Sequence, residues 1–227
     1  MNKGYTIPVL DKGFVRYIDH MGTDERIIEA ARISYKSPSK GEDADKKLLY
    51  YLWRNKHTSP FEMCKLTLNI KMPIFIMRQY VRHRMQNLNE VSARYTELPN
   101  EFYIPSRWRA QDNKNKQGSI DTEDLKHNVL SDDLAEFCQE AYTMYERFIQ
   151  KGVAKEMARM VLPLNIYTEI YCCWDLKNLM HFIALREDSH AQAEIQEYAK
   201  AIKQVCKNLF PWTIEAFDKF KFTLTEL

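Results

Sequence analysis

The stretch MCKLTLNIK at 63–71 and the stretch PIFIMRQYVRHR at 73–84 are neighbours, and together they indicate the fold class. In the first, apolar and polar residues alternate from Cys64 onward, which predicts a strand with one buried face. In the second, Pro73 stands at the first position of a helix, where its missing N–H costs nothing. The chain is therefore predicted to pass from a half-buried strand directly into a helix.

Helical patterns dominate the sequence on both sides of this junction. Apolar residues recur every three or four positions in each predicted helix, and turn-favouring residues separate the helices. Four predicted helices cover 23–35, 43–56, 153–161 and 176–187. A long helix is capped by Ser131 and ends before Gly152. Another begins with the capping box Ser189-His190-Ala191-Gln192 and ends at about Leu209, and a terminal helix starts at Pro211.

Strand patterns are fewer. β-branched and aromatic residues predict a strand at 164–174 and a short one at 102–106, whereas 87–95 is predicted as an irregular polar segment. The most polar stretch, at about 107–128, is predicted as a mobile loop. We predict the α+β class: one helix-rich domain over 1–227, with a small, mainly antiparallel sheet packed against long helices.

Composition and charge exclude several classes of protein. The 227 residues include 33 basic and 31 acidic side chains, and the net charge of +2 excludes a generally basic nucleic-acid coat. The six glycines are too far apart for a glycine-rich phosphate loop. The five cysteines have no zinc spacing, and no apolar run reaches the ~18 residues of a membrane helix. We expect a reduced, cytoplasmic protein without a metal site or membrane contact.

Positive charge is concentrated between residues 78 and 94. Arginine forks match phosphate and carboxylate geometry, and on the predicted helix two polar rows would emerge, one from Arg78 and Arg82 and one from Gln79 and His83. A solvated basic helix face would explain the charges alone. The varied donors that follow at 87–94 favour a binding site for an anion instead. The basic residues are Arg78, Arg82, His83, Arg84 and Arg94, against the single acid Glu90.

The segment RHRMQNLNEVSARY at 82–95 resembles the signature of the flavin-dependent thymidylate synthases, in which Arg-His-Arg is followed by seven residues and a serine. Here that serine is Ser92. Nearly the whole chain apart from 107–128 shares the resemblance. The further matching blocks are DKGFV at 11–15, AARISY at 30–35, HTSPFE at 57–62, FYIPS at 102–106, KEMARMVLPLNIYT at 155–168, LMHFIALREDSHAQAEIQEYA at 179–199 and PWTIEAF at 211–217.

The resemblance implies a reaction, a cofactor and an assembly. The reaction is the reductive methylation of dUMP to dTMP, with methylenetetrahydrofolate as carbon donor, NADPH as reductant and FAD as redox relay. It implies no cysteine nucleophile, which agrees with a chain whose cysteines show no reactive pattern. It also implies a homotetramer in which several subunits build each active site. The chemistry is then mostly the flavin's, and the protein supplies position and electrostatics.

Arg186 is the predicted catalytic residue. The resemblance implies that it contacts the uracil edge and favours ionisation at N3, and a fixed cation there makes C5 a better carbon nucleophile. Its helical spacing with Leu176, Leu179 and Ile183 points it toward the interior. The alternative is an ordinary arginine at a helix end, whose stem covers apolar surface.

The resemblance also implies a set of dUMP contacts. Ser92 has two possible roles: a nucleophile, or a donor to the dUMP phosphate backed by Arg94 and backbone N–H groups. Because a serine nucleophile needs a base and an orienting partner that the sequence does not reveal, we favour the phosphate donor. The set consists of Gln79, Arg82, Glu90, Val91, Ser92, Ala93, Arg94, Arg159 and Arg186.

Flavin contacts form a second implied set. His83 stands between two arginines, and their positive field predicts a neutral imidazole that donates near the flavin. The set consists of Ser59, Arg82, His83, Arg84, Glu90, Asp175, Lys177 and His181, with His57 and Glu62 as weaker candidates. The chain departs from the family pattern at Asn87, Ala93, Asp175 and Lys177, where members often carry Ser, Gly, Asn and Arg. Ala93 would restrict the backbone if that position needs positive φ.

Two other interpretations stay open at this stage. A single-strand nucleic-acid module could use the basic 78–94 helix and stack bases on nearby aromatic residues, namely Tyr80, Tyr95, Phe102 and Tyr103. The near-neutral net charge argues against it. The other interpretation is a catalytically inactive relative that serves as a structural subunit. The arginines at 82, 94, 159 and 186 argue against this interpretation.

Overall fold

An antiparallel sheet of five strands forms the centre of the molecule. The structure is a computed structural model that describes residues 1–220; residues 221–227, the end of the predicted 1–227 domain, lie outside the described residues. The strands are β1 (Thr6–Val9), β2 (Gly13–Met21), β3 (Lys65–Pro73), β4 (Gln86–Glu90) and β7 (Tyr167–Asp175). Their spatial order is β1, β2, β3, β7, β4, and every neighbouring pair is antiparallel.

The predicted alternation at 63–71 is confirmed in β3. Leu66, Leu68 and Ile70 are completely buried in the main core, on the face where helices cover the sheet. The opposite face carries Asn69, which is also buried. Its amide nitrogen donates to the carboxylate of Glu169 at 2.9 Å. A polar position of the alternating pattern is therefore satisfied by hydrogen bonds rather than by water.

Helices cover one face of the sheet, and the α+β class is confirmed. The helices are α1 (Asp24–Arg32), α2 (Glu42–Arg54), α3 (Ile74–Tyr80), α4 (His127–Gln150), α5 (Lys155–Ala158), α6 (Leu176–Arg186), α7 (Ala193–Leu209) and α8 (Pro211–Lys219). Side chains of α1, α2, α6, α7 and α8 form one core with those of β2, β3 and β7. A smaller core lies under α4, around Phe102, Cys138 and Ile166.

Helix α3 ends earlier than the sequence predicts. Tyr80 is completely buried, and its hydroxyl accepts a hydrogen bond from the indole N–H of Trp174 on β7 at 2.7 Å. This contact holds the end of α3 against the sheet, and the chain turns at 81–84 to enter β4. The prediction of a helix through residue 84 is therefore wrong. Arg82 and His83 lie in the turn, so the two helical rows do not form.

The polar segment predicted as irregular at 87–95 is partly a strand. Residues Gln86–Glu90 form β4, which pairs with the outer edge of β7, and Leu88 lies opposite Cys172. Its side chains are mostly exposed, as expected of an edge strand held by backbone hydrogen bonds. The prediction failed because Asn and Glu are poor strand formers and tertiary pairing outweighs that preference.

The polar stretch at 107–128 is more ordered than a simple loop. It contains a hairpin of β5 (Arg109–Gln111) and β6 (Ser119–Asp121). The strand predicted at 102–106 is reduced to a single bridge between Phe102 and Ile166. Side-chain hydrogen bonds across the stretch, which no local pattern reveals, account for its order.

Two predicted helix starts are wrong. Helix α4 begins at His127, so Ser131 lies inside it, and its hydroxyl accepts from the indole N–H of Trp108 at 3.0 Å. Helix α7 begins at Ala193 with Gln192 as its N-cap, so the capping box from Ser189 does not form. In α4 the hydrogen bond from Trp108 uses the hydroxyl that the local pattern assigned to a cap. In α7 the side chain of Gln192, the last residue of the predicted box, accepts from Gln79 and donates to Glu194 instead.

No helix within residues 1–220 has the length and apolar character needed to cross a membrane. The cytoplasmic location stays a prediction.

Candidate functional site

An open cleft lies beside the end of β4 and contains much of the predicted dUMP set. Its volume is about 480 Å³. We call it the Ser92 cleft. Besides Arg78 and Thr168 it is lined by apolar side chains such as Met160 and Leu164. The predicted residues that line it are Glu90, Val91, Ser92, Ala93 and Arg159.

Hydrogen bonds to β7 hold the loop that lines the Ser92 cleft. The hydroxyl of Thr168 donates to a carboxylate oxygen of Glu90 at 2.6 Å. The backbone N–H of Val91 donates to the carbonyl of Glu169 at 2.9 Å. The side-chain oxygen Oγ of Ser92 accepts a hydrogen bond from the backbone N–H of Arg94 at 3.3 Å, which leaves the serine O–H proton available to a ligand. This arrangement favours a donor role for Ser92.

Two arginines give the Ser92 cleft its positive charge. Within residues 1–220 neither Arg78 nor Arg159 lies within ion-pair distance of a carboxylate. Arg94, in contrast, pairs with Glu156 at 2.8 Å and does not line the cleft. The cleft therefore presents two guanidinium groups without an ion-pair partner among the described residues, a serine hydroxyl and the carboxylate of Glu90, and its donors match a phosphate.

The departure at Ala93 does not strain the backbone. Ala93 is 6% exposed and packs in the smaller core. Among the described residues, the positive φ values of non-glycine residues belong to Leu10, Lys36 and Lys56. Ala93 is not one of them, so this loop conformation does not need glycine there.

The second group of predicted residues, which we call the His83 cluster, consists of His83, His181, Phe182 and Arg186. The His83 ring lies 5.0 Å from the Phe182 ring in an edge-on contact, and 6.3 Å from the His181 ring. Nε of Arg186 donates to Nε2 of His83 at 2.9 Å. Because a guanidinium only donates, the proton of the His83 ring is on Nδ1.

The predicted neutral state of His83 is confirmed in direction. Its pKa is lowered from 6.5 to about 4, first by burial and then by the charges of Arg186 and His181. From the sequence, the flanking arginines are predicted to keep the His83 imidazole neutral, whereas in the structure the charged neighbours that lower its pKa are on α6. Burial also lowers the pKa of Arg186, but a guanidinium stays charged at neutral pH. The cluster thus combines one fixed cation with one neutral imidazole.

The free energy of unfolding is expected to fall as the pH is lowered from 6.5 to about 4. In this window the His83 imidazole binds a proton in the unfolded chain but not in the folded one, so acid favours unfolding. After allowance for the partial exposure of the ring, the loss is about 1–2 kcal/mol. Denaturant unfolding at neutral pH and at pH ~4.5 measures it. The control is His83→Asn, and an equal pH dependence in both proteins contradicts the prediction.

The other predicted flavin residues differ in their contacts and in their exposure to solvent. Asp175 is the N-cap of α6, and its carboxylate accepts the backbone N–H of Asn178 at 2.9 Å. Lys177 lies 3.7 Å from the carboxylate of Glu62, which joins α6 to the short 3₁₀ helix Ser59–Met63. Ser59, His57, Arg82 and Arg84 are exposed. Asp175 thus has a structural partner, while the exposed arginines remain available to an anion.

Strand β4 separates the Ser92 cleft from the His83 cluster. Gln86 begins the strand three residues after His83, and Glu90 ends it at the cleft. At about 3.3 Å per residue, the two ends of β4 are about 13 Å apart. Of the remaining predicted dUMP residues, Gln79 lies on α3 and bonds to Gln192. One chain therefore does not bring all the predicted dUMP residues together: the Ser92 cleft and the His83 cluster each hold part of the set, and Gln79 and Arg94 belong to neither.

The sequence was compared with protein families and curated relatives. The family model described as thymidylate synthase complementing protein matches residues 16–212. The chain belongs to this family. A flavin-dependent thymidylate synthase of Thermus thermophilus is 49% identical over 218 residues, which cover 94% of this chain and 78% of the relative. One from Kosmotoga olearia is 45% identical over 219 residues, covering 96% of this chain and 95% of the relative.

Solved structures of related enzymes share the fold. The crystal structure of the UMP/dUMP methylase PolB from Streptomyces cacaoi, bound with 5-Br UMP, has a TM-score of 0.84 and 31% identity. The match covers 94% of this chain and 97% of that chain. A second structure of PolB, bound with 5-Br dUMP, has a TM-score of 0.83. The resemblance to flavin-dependent thymidylate synthases is thus confirmed.

The structure does not support the interpretation of this chain as a nucleic-acid-binding module. The basic helix required for it ends at Tyr80, and the basic residues after it lie in the turn at 81–84 and in the loop that follows β4. Tyr80 and Phe102 are buried and cannot stack on bases, whereas Tyr95 is 80% exposed. That leaves too few accessible rings for a stacking platform.

Two polar residues of the Ser92 cleft are not among the site residues predicted from the sequence. Arg78 belongs to the basic segment, and its position in the last turn of α3, just before the signature, was the available signal. Thr168 was missed because a threonine in a strand is ordinary. Only the pairing of β4 with β7 shows that it faces Glu90.

Proposed function

We propose that this chain catalyses the reductive methylation of dUMP to dTMP with bound FAD, using methylenetetrahydrofolate as carbon donor and NADPH as reductant. The observation that carries the proposal is the half-buried pair of Arg186 and neutral His83, together with a cleft on the same chain that two arginines line. The family membership and the printed activities of the relatives support it.

The Ser92 cleft is the proposed site of the dUMP phosphate. A phosphate dianion is attracted by Arg78 and Arg159 and accepts the free O–H of Ser92. Glu90 also lines the cleft, and the hydrogen bond from Thr168 orients its carboxylate toward β7 without neutralising it, so the two arginines must outweigh one carboxylate. The nucleophile role for Ser92 is disfavoured because, among the described residues, its oxygen contacts only the backbone N–H of Arg94 and no base.

Replacing Ser92 by alanine is expected to weaken dUMP binding about 10–100-fold, the effect of losing one hydrogen bond to a charged group. The maximal turnover rate should change little, because the phosphate is remote from the reacting carbon. Steady-state kinetics over a range of dUMP concentrations separates the two effects. The matched control is Ser106→Ala, which removes an exposed serine outside the cleft. Loss of turnover with unchanged dUMP affinity would favour the nucleophile role instead.

The His83 cluster and its surroundings fit a flavin nucleotide. Arg82 and Arg84 are exposed and, within residues 1–220, without a carboxylate partner, as a pyrophosphate requires. The side-chain oxygen of Gln86 is buried and has no hydrogen-bond partner among the described residues. Gln86 donates to the backbone carbonyl of His83 at 2.8 Å, so this unsatisfied acceptor belongs to the same turn. A flavin ring has both donors and acceptors at its edge to match these groups.

When bound, the flavin supplies the redox chemistry of the reaction. Arg186 stabilises negative charge on the uracil, which makes C5 nucleophilic toward the incoming carbon. Nε2 of His83 accepts from Nε of Arg186, and this leaves the terminal N–H groups of the guanidinium without a partner among residues 1–220. His83 thereby orients the cation and directs those free donors to the substrate. Its neutral state avoids repulsion between the two side chains.

Four of the five cysteines are poorly suited to replace this mechanism with thiol addition. Burial raises the pKa of Cys64, Cys172 and Cys206 to about 12 in each case. Burial also raises the pKa of Cys138. A buried, protonated thiol is a poor nucleophile, which supports activation of the uracil by Arg186.

The proposed assembly is a homotetramer whose active sites are shared between subunits. The separation of the Ser92 cleft from Arg186 within one chain supports it. Large apolar side chains are also exposed beside both groups: Met160 is 71% exposed, Met85 is 66% exposed and Tyr171 is 51% exposed. Apolar residues exposed in this number around a polar site are typical of a surface covered by another subunit.

A visible-spectrum titration with FAD, before and after addition of dUMP, tests the proposal directly. We expect saturable FAD binding and a change of the flavin spectrum on addition of dUMP, because both ligands share one site. A turnover assay with methylenetetrahydrofolate and NADPH follows. If the purified protein binds no flavin under any condition, the proposed function is wrong and the inactive-relative interpretation takes its place.

A further inference from the structure

A row of hydrogen-bonded side chains links the β5–β6 hairpin to Gln79 on α3. The guanidinium of Arg109 contacts both carboxylate oxygens of Glu194 at 2.8 Å. Nε2 of Gln192 donates to the same carboxylate at 2.8 Å. Nε2 of Gln79 in turn donates to the side-chain oxygen of Gln192. The hairpin lies in the segment that does not share the family resemblance, yet it contacts a predicted dUMP residue through this row.

The ionised carboxylate sets the direction of every hydrogen bond in the row. Glu194 is 5% exposed, and its ion pair with Arg109 keeps it charged, so it can only accept. Gln192 must therefore turn its NH₂ group toward Glu194 and its oxygen toward Gln79. Gln79 must then use its NH₂ group toward Gln192. The hydroxyl of Tyr103 also lies 3.4 Å from the carboxylate and donates to it.

We propose that Glu194, acting through Gln192, is a positioning residue that fixes the orientation of the Gln79 amide. In this orientation Gln79 keeps its carbonyl oxygen and one N–H free for the pyrimidine of dUMP. An amide that can flip would exchange donor and acceptor at the substrate and lose the match half of the time. This inference rests on the proposed function, because it needs dUMP to contact Gln79.

The substitution Glu194→Gln tests this inference with little change of side-chain volume. Glutamine can present an NH₂ group where Glu194 presents oxygen, which reverses the direction of the hydrogen bonds along the row. We expect the dissociation constant of dUMP to rise about tenfold, the effect of one mismatched polar contact. Binding of FAD is expected to stay unchanged. The matched control is Glu197→Gln, which removes an exposed ion pair with Lys200 on the same helix.

A double-mutant cycle with Gln79→Ala separates a positioning role from a structural one. If Glu194 acts through Gln79, Glu194→Gln has no further effect on dUMP binding once Gln79 is alanine. Equal effects in both backgrounds would overturn the inference, as would a Gln79→Ala variant that binds dUMP like the wild type. Gln192→Leu, which leaves the Arg109–Glu194 pair intact, gives the same test if Glu194→Gln does not fold. Absence of dUMP binding by the wild type would instead refute the proposed function.

Discussion

Replacing Arg186 by alanine is expected to lower the rate of dTMP formation by about 10²–10³-fold or more, the effect of removing a group that stabilises developing charge. Nε of Arg186 contacts His83, while its terminal N–H groups have no partner within residues 1–220 and remain for the substrate. Without them the uracil loses its fixed cation, and C5 loses nucleophilicity. The flavin should remain bound, because His83, Arg82 and Arg84 are unchanged.

Turnover and flavin absorbance, measured on the same preparation, test this prediction. Arg54→Ala is the matched control, because Arg54 ends α2 as Arg186 ends α6 but is exposed, and its guanidinium lies over the ring of Phe220 at 5.8 Å, outside both residue groups. Arg186→Lys adds a second comparison: it keeps the charge and loses the fork, so we expect it to recover only part of the activity. Wild-type turnover by Arg186→Ala would show that this arginine is an ordinary helix-end residue.

Co-expression of the Arg186→Ala and Arg159→Ala variants is expected to restore dTMP formation that neither variant supports alone. The two arginines belong to groups that lie at opposite ends of β4, a strand about 13 Å long. If each active site takes Arg186 from one subunit and Arg159 from another, random mixing gives about one quarter of the sites both wild-type residues. If each site lies within one chain, every site keeps a defect and no activity returns.

The complementation experiment requires that each variant alone be nearly inactive. Arg159→Ala should bind dUMP about 10–100-fold more weakly, the effect of losing a charged hydrogen bond, so the assay uses dUMP near the wild-type KM. Differently tagged subunits purified in sequence confirm that mixed oligomers are present. Mixed oligomers without recovered activity would contradict sharing of the sites between subunits, whereas a tag pull-down without mixing would contradict the oligomer itself.

Local patterns were sufficient where a segment's environment followed from its own residues. The alternation of β3 was predicted correctly because its leucines and Ile70 face one continuous core. Helix α2 and the start of α8 at Pro211 agree with their amphipathic and proline signals. The neutral state of His83 was predicted in direction, but from the wrong neighbours, because residues distant in sequence bury it.

Local patterns failed where long-range contacts outweigh them. Residues 86–90 form a strand because the edge of β7 is free to pair with them. Ser131 does not cap a helix as predicted, because Trp108 engages its hydroxyl, and the predicted capping box does not form, because Gln79 engages the side chain of Gln192. Hydrogen-bond partners of this kind are separated by many residues, so their meeting depends on the packing of the whole chain.

The sequence by itself determined the α+β class, the exclusion of a glycine-rich phosphate loop, the family resemblance and the identity of the charged residues. These properties follow from composition, periodicity and the order of motifs along the chain. The tertiary structure alone decided which of those residues meet. It joins Arg186 to His83, places Ser92 with Arg78 and Arg159, and keeps the two groups apart. The physical reason is that charge and hydrogen bonding act over a few ångströms in space, whatever the separation of the residues along the chain.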